Sequence, residues 1–161
     1  DKLDAMREEL SKIRKMADVS EVRGPGVRIL LRDSDLPSED GVSENYFLIH
    51  DFDILNLVNE LKGAGGEAIA INGERVTATT NVYCGGPTII IDGKRHTPPF
   101  VIEAIGDPKK LEATLNKTDS YLDLMKFAGI NVQVKVPNEI YIAAYQGAEK
   151  MKYMKKAGGG K

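Results

Sequence analysis

The chain lacks, or has little of, several residue types that support common functions. Tryptophan is absent from its 161 residues and aromatic residues make up only 6%, so the core must be built mainly from aliphatic side chains. The single cysteine, Cys84, excludes an internal disulfide and a cysteine-rich zinc site. There is no signal peptide and no stretch of about 18 apolar residues, so no membrane-spanning segment is predicted within the chain.

Charge of neither sign is in excess. The chain has 22 Lys and Arg residues against 24 Asp and Glu residues, a formal net charge of -2. A nucleic-acid-binding domain needs a basic surface to neutralise phosphates, so the balance argues against this class and we expect no nucleic-acid partner. With 42% hydrophobic and 29% charged residues, the length suits one compact domain with appendages. We place this domain at residues 21–147, between a helical stalk at 1–20 and a basic, flexible tail at 148–161.

Residues 1–20 are predicted to form a coiled-coil stalk. Their apolar residues recur at alternating steps of three and four, which is the spacing of a coiled-coil seam, and charged residues lie between them. We expect two copies of the chain to form a homodimer through this seam, of which Ala17 is the last residue. The residues predicted to make the dimer contact are Leu3, Met6, Leu10 and Ile13. The alternative is a single helix docked on its own domain.

The remainder of the chain alternates strands and helices in the order β-α-β-β, twice over. Asn72-Gly73 and Asp92-Gly93 are strong signals for hairpin turns. Two such units predict an α+β fold, a ferredoxin-like sandwich with a mainly antiparallel sheet and helices on one face, preceded by the coiled-coil helix. One predicted helix follows the N-cap Asp51 and ends at the glycines Gly63, Gly65 and Gly66, and a second region, 107–129, is broken near Thr118. The predicted strands are 27–31, 68–71, 76–84, 88–91 and 100–105, with a final hairpin of 132–136 and 140–144.

An acidic loop at residues 33–44 has a spacing that partly resembles a calcium site. Asp33, Asp35 and Glu44 occupy positions one, three and twelve of an EF-hand count. Position six, which must be glycine, is Ser38, and the preceding segment is predicted as a strand rather than a helix. We therefore interpret the segment as a mobile acidic loop, and we predict no metal and no cofactor for the chain.

Cys84 and the two histidines, His50 and His96, are the residues suited to nucleophilic or acid-base chemistry. A Cys–His dyad requires only proximity in space, so one is conceivable. Cys84, however, lies at the end of a predicted strand, rather than at a helix N-terminus that would activate its thiol. The sequence contains no recognisable activated nucleophile, close acid/base pair or metal cluster, so we predict that the chain is not an enzyme.

The first helix of the domain carries a candidate surface for a partner or ligand. If its apolar stripe faces the sheet, Asn59 and Glu60 face outward and Asp53 lies on the flank. Arg75 follows in the next hairpin, within reach of a carboxylate. These residues are therefore the candidate site, and the alternative is a plain solvated helix face.

Four segments resemble a bacterial domain-of-unknown-function family, family 881. They read VRGPGVRILLRDS, LVNELKGAGGEAIAINGERVTATT, CGGPTIIIDGKRHTPPFVIEAIGDPKKLEATL and IYIAAYQG. The resemblance covers roughly residues 19–147, and LVNEL…AGGEAIAINGERV is its most specific part. Members of this family are often labelled division initiation proteins.

The resemblance implies an N-terminal transmembrane helix, then a coiled coil, then this domain outside the cytoplasmic membrane. It also implies a family with no established enzymatic activity. Asp53, Asn59, Glu60 and Arg75 fit the family's motif without an evident structural reason, whereas a hairpin turn explains Asn72.

We therefore expect a non-catalytic extracytoplasmic interaction or scaffold domain of a membrane-anchored bacterial protein, linked to cell division or envelope assembly. Its partner is expected to be a protein, and its location the cell membrane, on the extracytoplasmic side. Because the chain does not start with Met, we interpret it as a fragment that reaches the membrane only through a preceding segment. Two alternatives remain: a small-ligand or ion sensor that binds between the acidic loop and the first domain helix, and a hydrolase that uses Cys84.

Overall fold

The computed structural model of the protein describes residues 1–18, 20–36, 48–147 and 152–158. Most of the predicted acidic loop and half of the predicted tail therefore lie outside the described residues. The helices are α1 Lys2–Met16, α2 Asp51–Gly63, α3 Pro108–Leu115 and α4 Tyr121–Phe127. The strands are β1 Val22–Gly24, β2 Gly26–Arg32, β3 Ala68–Ile71, β4 Glu74–Arg75, β5 Val82–Gly85, β6 Thr88–Ile91, β7 Lys94–His96, β8 Phe100–Ile105, β9 Asn131–Lys135 and β10 Ile140–Ile142.

The central sheet has five strands in the order β4-β3-β8-β2-β9, and every neighbouring pair is antiparallel. Its four main strands follow the chain as β2, β3, β8 and β9, with α2 between the first two and α3 and α4 between the last two. This is the β-α-β-β-α-β order of a ferredoxin-like sandwich. The α+β fold with an antiparallel sheet and a preceding helix is therefore confirmed.

Alternation along the strands divides their side chains between two hydrophobic clusters. On one face, Ile29 of β2 and Ile102 of β8 join a core that includes Leu57 of α2, and all three are 0% exposed. On the other face, Ala70 of β3 packs with Ile142 of β10. The helices α2, α3 and α4 thus cover one face of the sheet, as predicted, and a two-stranded ribbon covers part of the other.

This ribbon corrects the predicted final hairpin. Instead of pairing with β9, β10 pairs antiparallel with β1, whereas β9 pairs with β2. The reason is burial: Ile140 and Ile142 are at most 1% exposed against the second face of the sheet, which a hairpin with the edge strand β9 would not cover.

The predicted strand 76–84 is also wrong, because it is interrupted. The backbone amide of Thr77 donates to the hydroxyl of Thr80 at 2.8 Å in a local turn, and the chain then enters a separate three-stranded sheet, β5-β6-β7. The predicted turns are confirmed: Asn72-Gly73 joins β3 to β4, and Asp92-Gly93 joins β6 to β7. All four residues have positive φ, which Asn, Asp and Gly tolerate best.

Helix caps explain where the helices begin. Asp107 caps α3 as expected, because its side chain accepts a hydrogen bond from the amide of Lys109, and Pro108 is the first helical residue. The N-cap of α2 is His50 rather than the predicted Asp51, which is the first helical residue. The predicted helical region 107–129 is divided into α3 and α4 by a turn that contains Asp119, at a φ of 64°.

Candidate functional site

The helix α1 leaves its apolar stripe in solvent. None of its residues is buried, and the four predicted dimer residues are each more than half exposed: Leu3 52%, Met6 59%, Leu10 56% and Ile13 53%. Asp1 starts the helix by accepting a hydrogen bond from the amide of Leu3 at 3.1 Å. In the described part of the chain, the domain does not cover this stripe, so the stripe is available to another helix.

Asp53 and Glu60 on α2 hold the neighbouring helix α4 in place. The carboxylate of Asp53 accepts hydrogen bonds from the His50 amide at 2.6 Å and from the Tyr121 hydroxyl at 2.7 Å. The carboxylate of Glu60 accepts a hydrogen bond from the Tyr121 amide at 2.8 Å. Burial, and next the hydrogen bond and the charge of Asp53, raise the pKa of Tyr121 to about 12. The structure thus supplies a structural reason for both acidic residues, which the sequence did not.

Arg75 lies at the base of the stalk rather than beside α2. Its side chain is 1% exposed, and Nη2 contacts Oδ1 of Asp18 at 3.1 Å. Nη1 donates to the carbonyls of Ser20 at 2.9 Å and Ala143 at 3.4 Å. Burial raises the pKa of Asp18 even though the charge of Arg75 acts in the opposite direction. The expected carboxylate partner exists, but it belongs to the connection between α1 and the domain.

The four predicted site residues therefore do not form one surface. Asp53 and Glu60 lie at the junction of α2 and α4, Arg75 lies under the end of the stalk, and only Asn59 is exposed. Whether the exposed face of α2 binds a partner stays a prediction. The exposed surfaces of α2 and α4 also carry large apolar side chains, which were not predicted from the sequence. They are Phe52 at 53%, Leu55 at 41%, Leu124 at 55% and Phe127 at 90% exposure.

Cys84 lies near the end of strand β5, as predicted, but this strand brings it into contact with the first residue of α2, which the sequence-based expectation had excluded. Its sulfur accepts a hydrogen bond from the amide of Asp51 at 3.4 Å, and its own amide donates to the Asp51 carboxylate at 3.0 Å. Desolvation opposes ionisation of Asp51, but the amides of Cys84 and Phe52 hold the pKa of its carboxyl below the ordinary value. The strand β5 and the helix α2 meet only in the tertiary structure, so no local pattern places the thiol there.

A cavity of about 190 Å³ adjoins this thiol. Cys84, His50 and Asp33 contribute polar groups, and Ile49 and Phe100 are among its apolar residues. His96 does not line this cavity, and its Nδ1 lies 3.5 Å from the side-chain nitrogen Nδ2 of Asn72. Among the described residues, no group of three or more His, Cys, Asp or Glu side chains could hold a metal ion. The cavity therefore offers a thiol and an imidazole to a small molecule.

A second, larger hollow of about 680 Å³ lies between the end of α1 and the sheet. Lys15 and Met16 line it from the helix, and Arg23 and Glu67 line it from the domain. Its charges are mixed, so it selects no ligand of one sign. Of the helices in the described ranges, none is both long and apolar enough to cross a membrane.

Two curated relatives are similar to this chain over most of its length. One is the UPF0749 protein YlxW of Bacillus subtilis (strain 168), which is 34% identical over 128 residues, 80% of this chain and 55% of the relative. The other is the UPF0749 protein Rv1825 of Mycobacterium tuberculosis (strain ATCC 25618 / H37Rv), which is 31% identical over 134 residues, 81% of this chain and 42% of the relative. The chain thus spans about half the length of these relatives, whose names state no activity, substrate or partner.

The fold has a solved counterpart. The crystal structure of an uncharacterized conserved protein from Mycobacterium tuberculosis matches with a TM-score of 0.74 and 26% sequence identity, over 92% of this chain and 99% of that one. A model of the family described as "Bacterial protein of unknown function (DUF881)" matches residues 9–155. This match covers nearly the whole chain, and the resemblance noted in its sequence is confirmed: the protein belongs to the DUF881 family.

Proposed function

We propose that this chain is an extracytoplasmic interaction or scaffold domain of a membrane-anchored bacterial protein, linked to cell division or envelope assembly. In this proposal, α1 associates with a second copy of the chain, and the body behind it presents the exposed surface of α2 to a protein partner. The observation that carries the proposal is that the apolar stripe of α1 is more than half exposed along its length.

An exposed stripe of this kind favours association because burial of apolar surface is favourable. Removing a Leu, Ile or Met side chain from water contributes about 1.5–3 kcal/mol. A helix of 15 residues is marginal alone in water, and its own domain supplies no covering surface within the described residues. A second helix against the same stripe supplies that surface.

The extracytoplasmic location rests on the family resemblance, which implies a membrane anchor ahead of the coiled coil. The relatives named above are longer than this chain, which spans 55% of one and 42% of the other. The additional length in those proteins leaves room for an anchor. The link to cell division or envelope assembly is likewise a proposal.

Association through α1 is tested by sedimentation of the full chain and two matched variants. Leu10→Asp with Ile13→Asp places two negative charges in the stripe, whereas Ala5→Asp with Ser11→Asp places the same two charges elsewhere on the helix. We expect the native chain and the second variant to dimerise and the first to be monomeric. If all three have the mass of a monomer over the accessible concentration range, association through α1 is contradicted.

A small-molecule site in the Cys84 cavity is the second candidate, because the structure brings Cys84 and His50 to one space of about 190 Å³. It covers both the sensing and the thiol-dependent alternatives. A thermal-shift screen with nucleotides, divalent cations and cell-wall fragments tests it. A reproducible increase in melting temperature that disappears in Cys84→Ser supports the site, and no shift with any of these probes counts against it.

A further inference from the structure

We infer that the two copies pair through α1 in parallel and in register, so that both bodies lie at the same end of the stalk. This inference rests on the proposed function, which supplies the second copy. It goes beyond that function because an exposed apolar stripe alone permits either direction of the second helix. The charged residues beside the stripe decide the direction.

The spacing of the exposed apolar residues fixes the heptad register of α1, that is, which residue takes each of the positions a to g. Leu3 and Leu10 take the a positions, and Met6 and Ile13 take the d positions, because steps of three lead from a to d and steps of four lead from d to a. In a parallel pair in register, each of these side chains packs against its own counterpart in the second copy. The length of α1 accommodates two layers formed by a-position residues and two formed by d-position residues.

Charge complementarity favours the parallel direction. In this repeat Glu9 takes a g position and Arg14 the following e position, and both are exposed. A g residue of one helix contacts the e residue five positions later in a parallel partner. Glu9 therefore faces Arg14 of the second copy, and twofold symmetry makes this contact twice. Neither residue has an ion-pair partner among the described residues, so both charges are available to the second copy.

The same charges oppose an antiparallel pair. The antiparallel arrangement that packs Met6 against Leu10 of the second copy has its centre at residue 8. It brings Glu9 close to Glu9 of the second copy on one flank of the apolar seam, and Arg7 close to Arg7 of the second copy on the other. Like charges therefore repel on both flanks. The parallel arrangement has one like-charge contact per side, between Lys2 and Arg7, and this lies at the first residue of the helix, where screening by solvent is strongest.

The flanking charges also favour two helices over three or four. In larger bundles the e and g positions lose contact with water, and an ionised side chain there has a desolvation cost. Arg7, Glu9 and Arg14 occupy these positions. A two-stranded coil leaves all three in solvent while it covers the apolar seam.

The direction of α1 is passed on to the bodies by the contacts at its end. Asp18 contacts the buried Arg75, and the Asp18 carbonyl accepts a hydrogen bond from the amide of Tyr145 at 3.1 Å. A parallel coil therefore places two bodies side by side in fixed orientations. An anchor of the kind proposed above would then enter one membrane from both copies at the opposite end of the stalk.

Disulfide trapping tests the direction. Met6→Cys and Leu10→Cys are prepared separately in a Cys84→Ser background, mixed in equal amounts under reducing conditions and then oxidised. We expect disulfides between two copies of the same variant, identified by mass spectrometry. Disulfides that join Cys at 6 to Cys at 10 would overturn the inference and leave the proposed function intact. Sedimentation of the native chain that shows only monomers would contradict the proposed function itself.

Charge reversal provides a second, independent test. We expect Glu9→Arg to weaken dimerisation of the full chain about tenfold at low salt, since it replaces two attractive contacts by two repulsive ones. Adding Arg14→Glu to the same chain should restore the affinity, and the control Glu8→Arg, on the outer face, should leave it unchanged. An antiparallel coil would show no loss in Glu9→Arg, because one like-charge contact merely replaces another, and this result would overturn the inference.

Discussion

Helices α1 and α2 have the same periodic pattern and opposite environments. In α2, Ile54, Leu57 and Leu61 are spaced by three and four residues and are all 0% exposed. In α1, Leu10 and Ile13 follow the same spacing and are 56% and 53% exposed. The comparison shows that apolar periodicity identifies a helix with one apolar face. It does not identify what packs against that face.

Topology explains the difference. The helix α2 connects β2 to β3, which lie in one sheet with β8 between them, so the chain must return across the sheet and places α2 on it. By contrast, α1 is joined to the body through the contact of Asp18 with Arg75 beyond its last turn, and none of its own residues is buried. Its stripe remains for another molecule.

The largest expected effect comes from truncating the stripe of α2 and comparing it with the same change in α1. Leu57→Ala should lower the free energy of unfolding of the body by about 2–5 kcal/mol, because it leaves a cavity in the core. Leu10→Ala should change that energy by less than about 0.5 kcal/mol and weaken self-association instead. Urea denaturation at a protein concentration below the dimerisation constant measures the free energy of unfolding of both variants, and sedimentation measures their self-association. An equal loss of unfolding free energy in the two variants would remove the distinction between the helices.

Next in size is the connection that joins α1 to the body. Arg75→Met should lower the free energy of unfolding by about 2–3 kcal/mol, because it removes the hydrogen bonds to Asp18 and Ser20 and leaves a partly buried carboxylate unpaired. The control is Lys94→Met, because the Lys94 side chain is 56% exposed and its pair with Glu74 should contribute less than about 1 kcal/mol. Hydrogen exchange should show that the end of α1 loses protection only in the Arg75 variant, and retained protection there would refute the role of Arg75.

A smaller effect is expected where α2 contacts α4. Tyr121→Phe should cost about 1–2 kcal/mol at neutral pH, because Asp53 loses a hydrogen-bond donor. The pKa of Tyr121 is raised to about 12, whereas the unfolded side chain ionises near pH 10, so this residue stabilises the fold below pH 10 and that contribution is lost as the pH rises towards 12.

Denaturation across this pH range checks the prediction for Tyr121. The native protein should lose more stability between pH 10 and 12 than Tyr121→Phe does. Tyr83→Phe is the matched control, because Tyr83 is 45% exposed and its removal should leave the alkaline loss as it is in the native protein. Identical pH profiles for the native protein and Tyr121→Phe would show that Asp53 and Tyr121 do not interact as described.

The smallest effect concerns the start of α2. Cys84→Ser should change the free energy of unfolding by less than about 1 kcal/mol, because the exposed sulfur accepts one long hydrogen bond, 3.4 Å, that a hydroxyl can replace. In the folded native protein the thiol should react with iodoacetamide without prior unfolding. A thiol that is alkylated only after denaturation would show that β5 closes over the start of α2.

Local sequence signals predicted the elements whose causes are local. Asn72-Gly73 and Asp92-Gly93 form the expected hairpin turns, and Asp107 caps α3. The order of strands and helices was sufficient for the ferredoxin-like sheet, since few arrangements of such units bury their apolar faces. The pairing of β10 with β1 was not predictable, because these strands are far apart in the chain and neither turn chemistry nor periodicity connects them.

The candidate site residues show the same contrast between local features, which the sequence predicts, and long-range contacts, which it does not. The apolar stripe of α1 was identified from spacing alone, because side chains three and four residues apart share one face of any helix. The contacts of Arg75 with Asp18 and of Cys84 with Asp51 join residues that are distant in sequence. No pattern within either segment contains that information, so residues predicted as one surface proved to belong to different parts of the molecule.

By itself, the sequence determined the helical stripe of α1, the two tight turns and the succession of strands and helices, because each depends on backbone preferences and side-chain spacing within a few residues. Only the tertiary structure decided that the stripe of α1 is exposed among the described residues, that Arg75 is buried under the stalk and that β5 brings Cys84 to the start of α2. These features depend on which surfaces meet when the sheet assembles, and burial is a property of the whole fold rather than of any one segment.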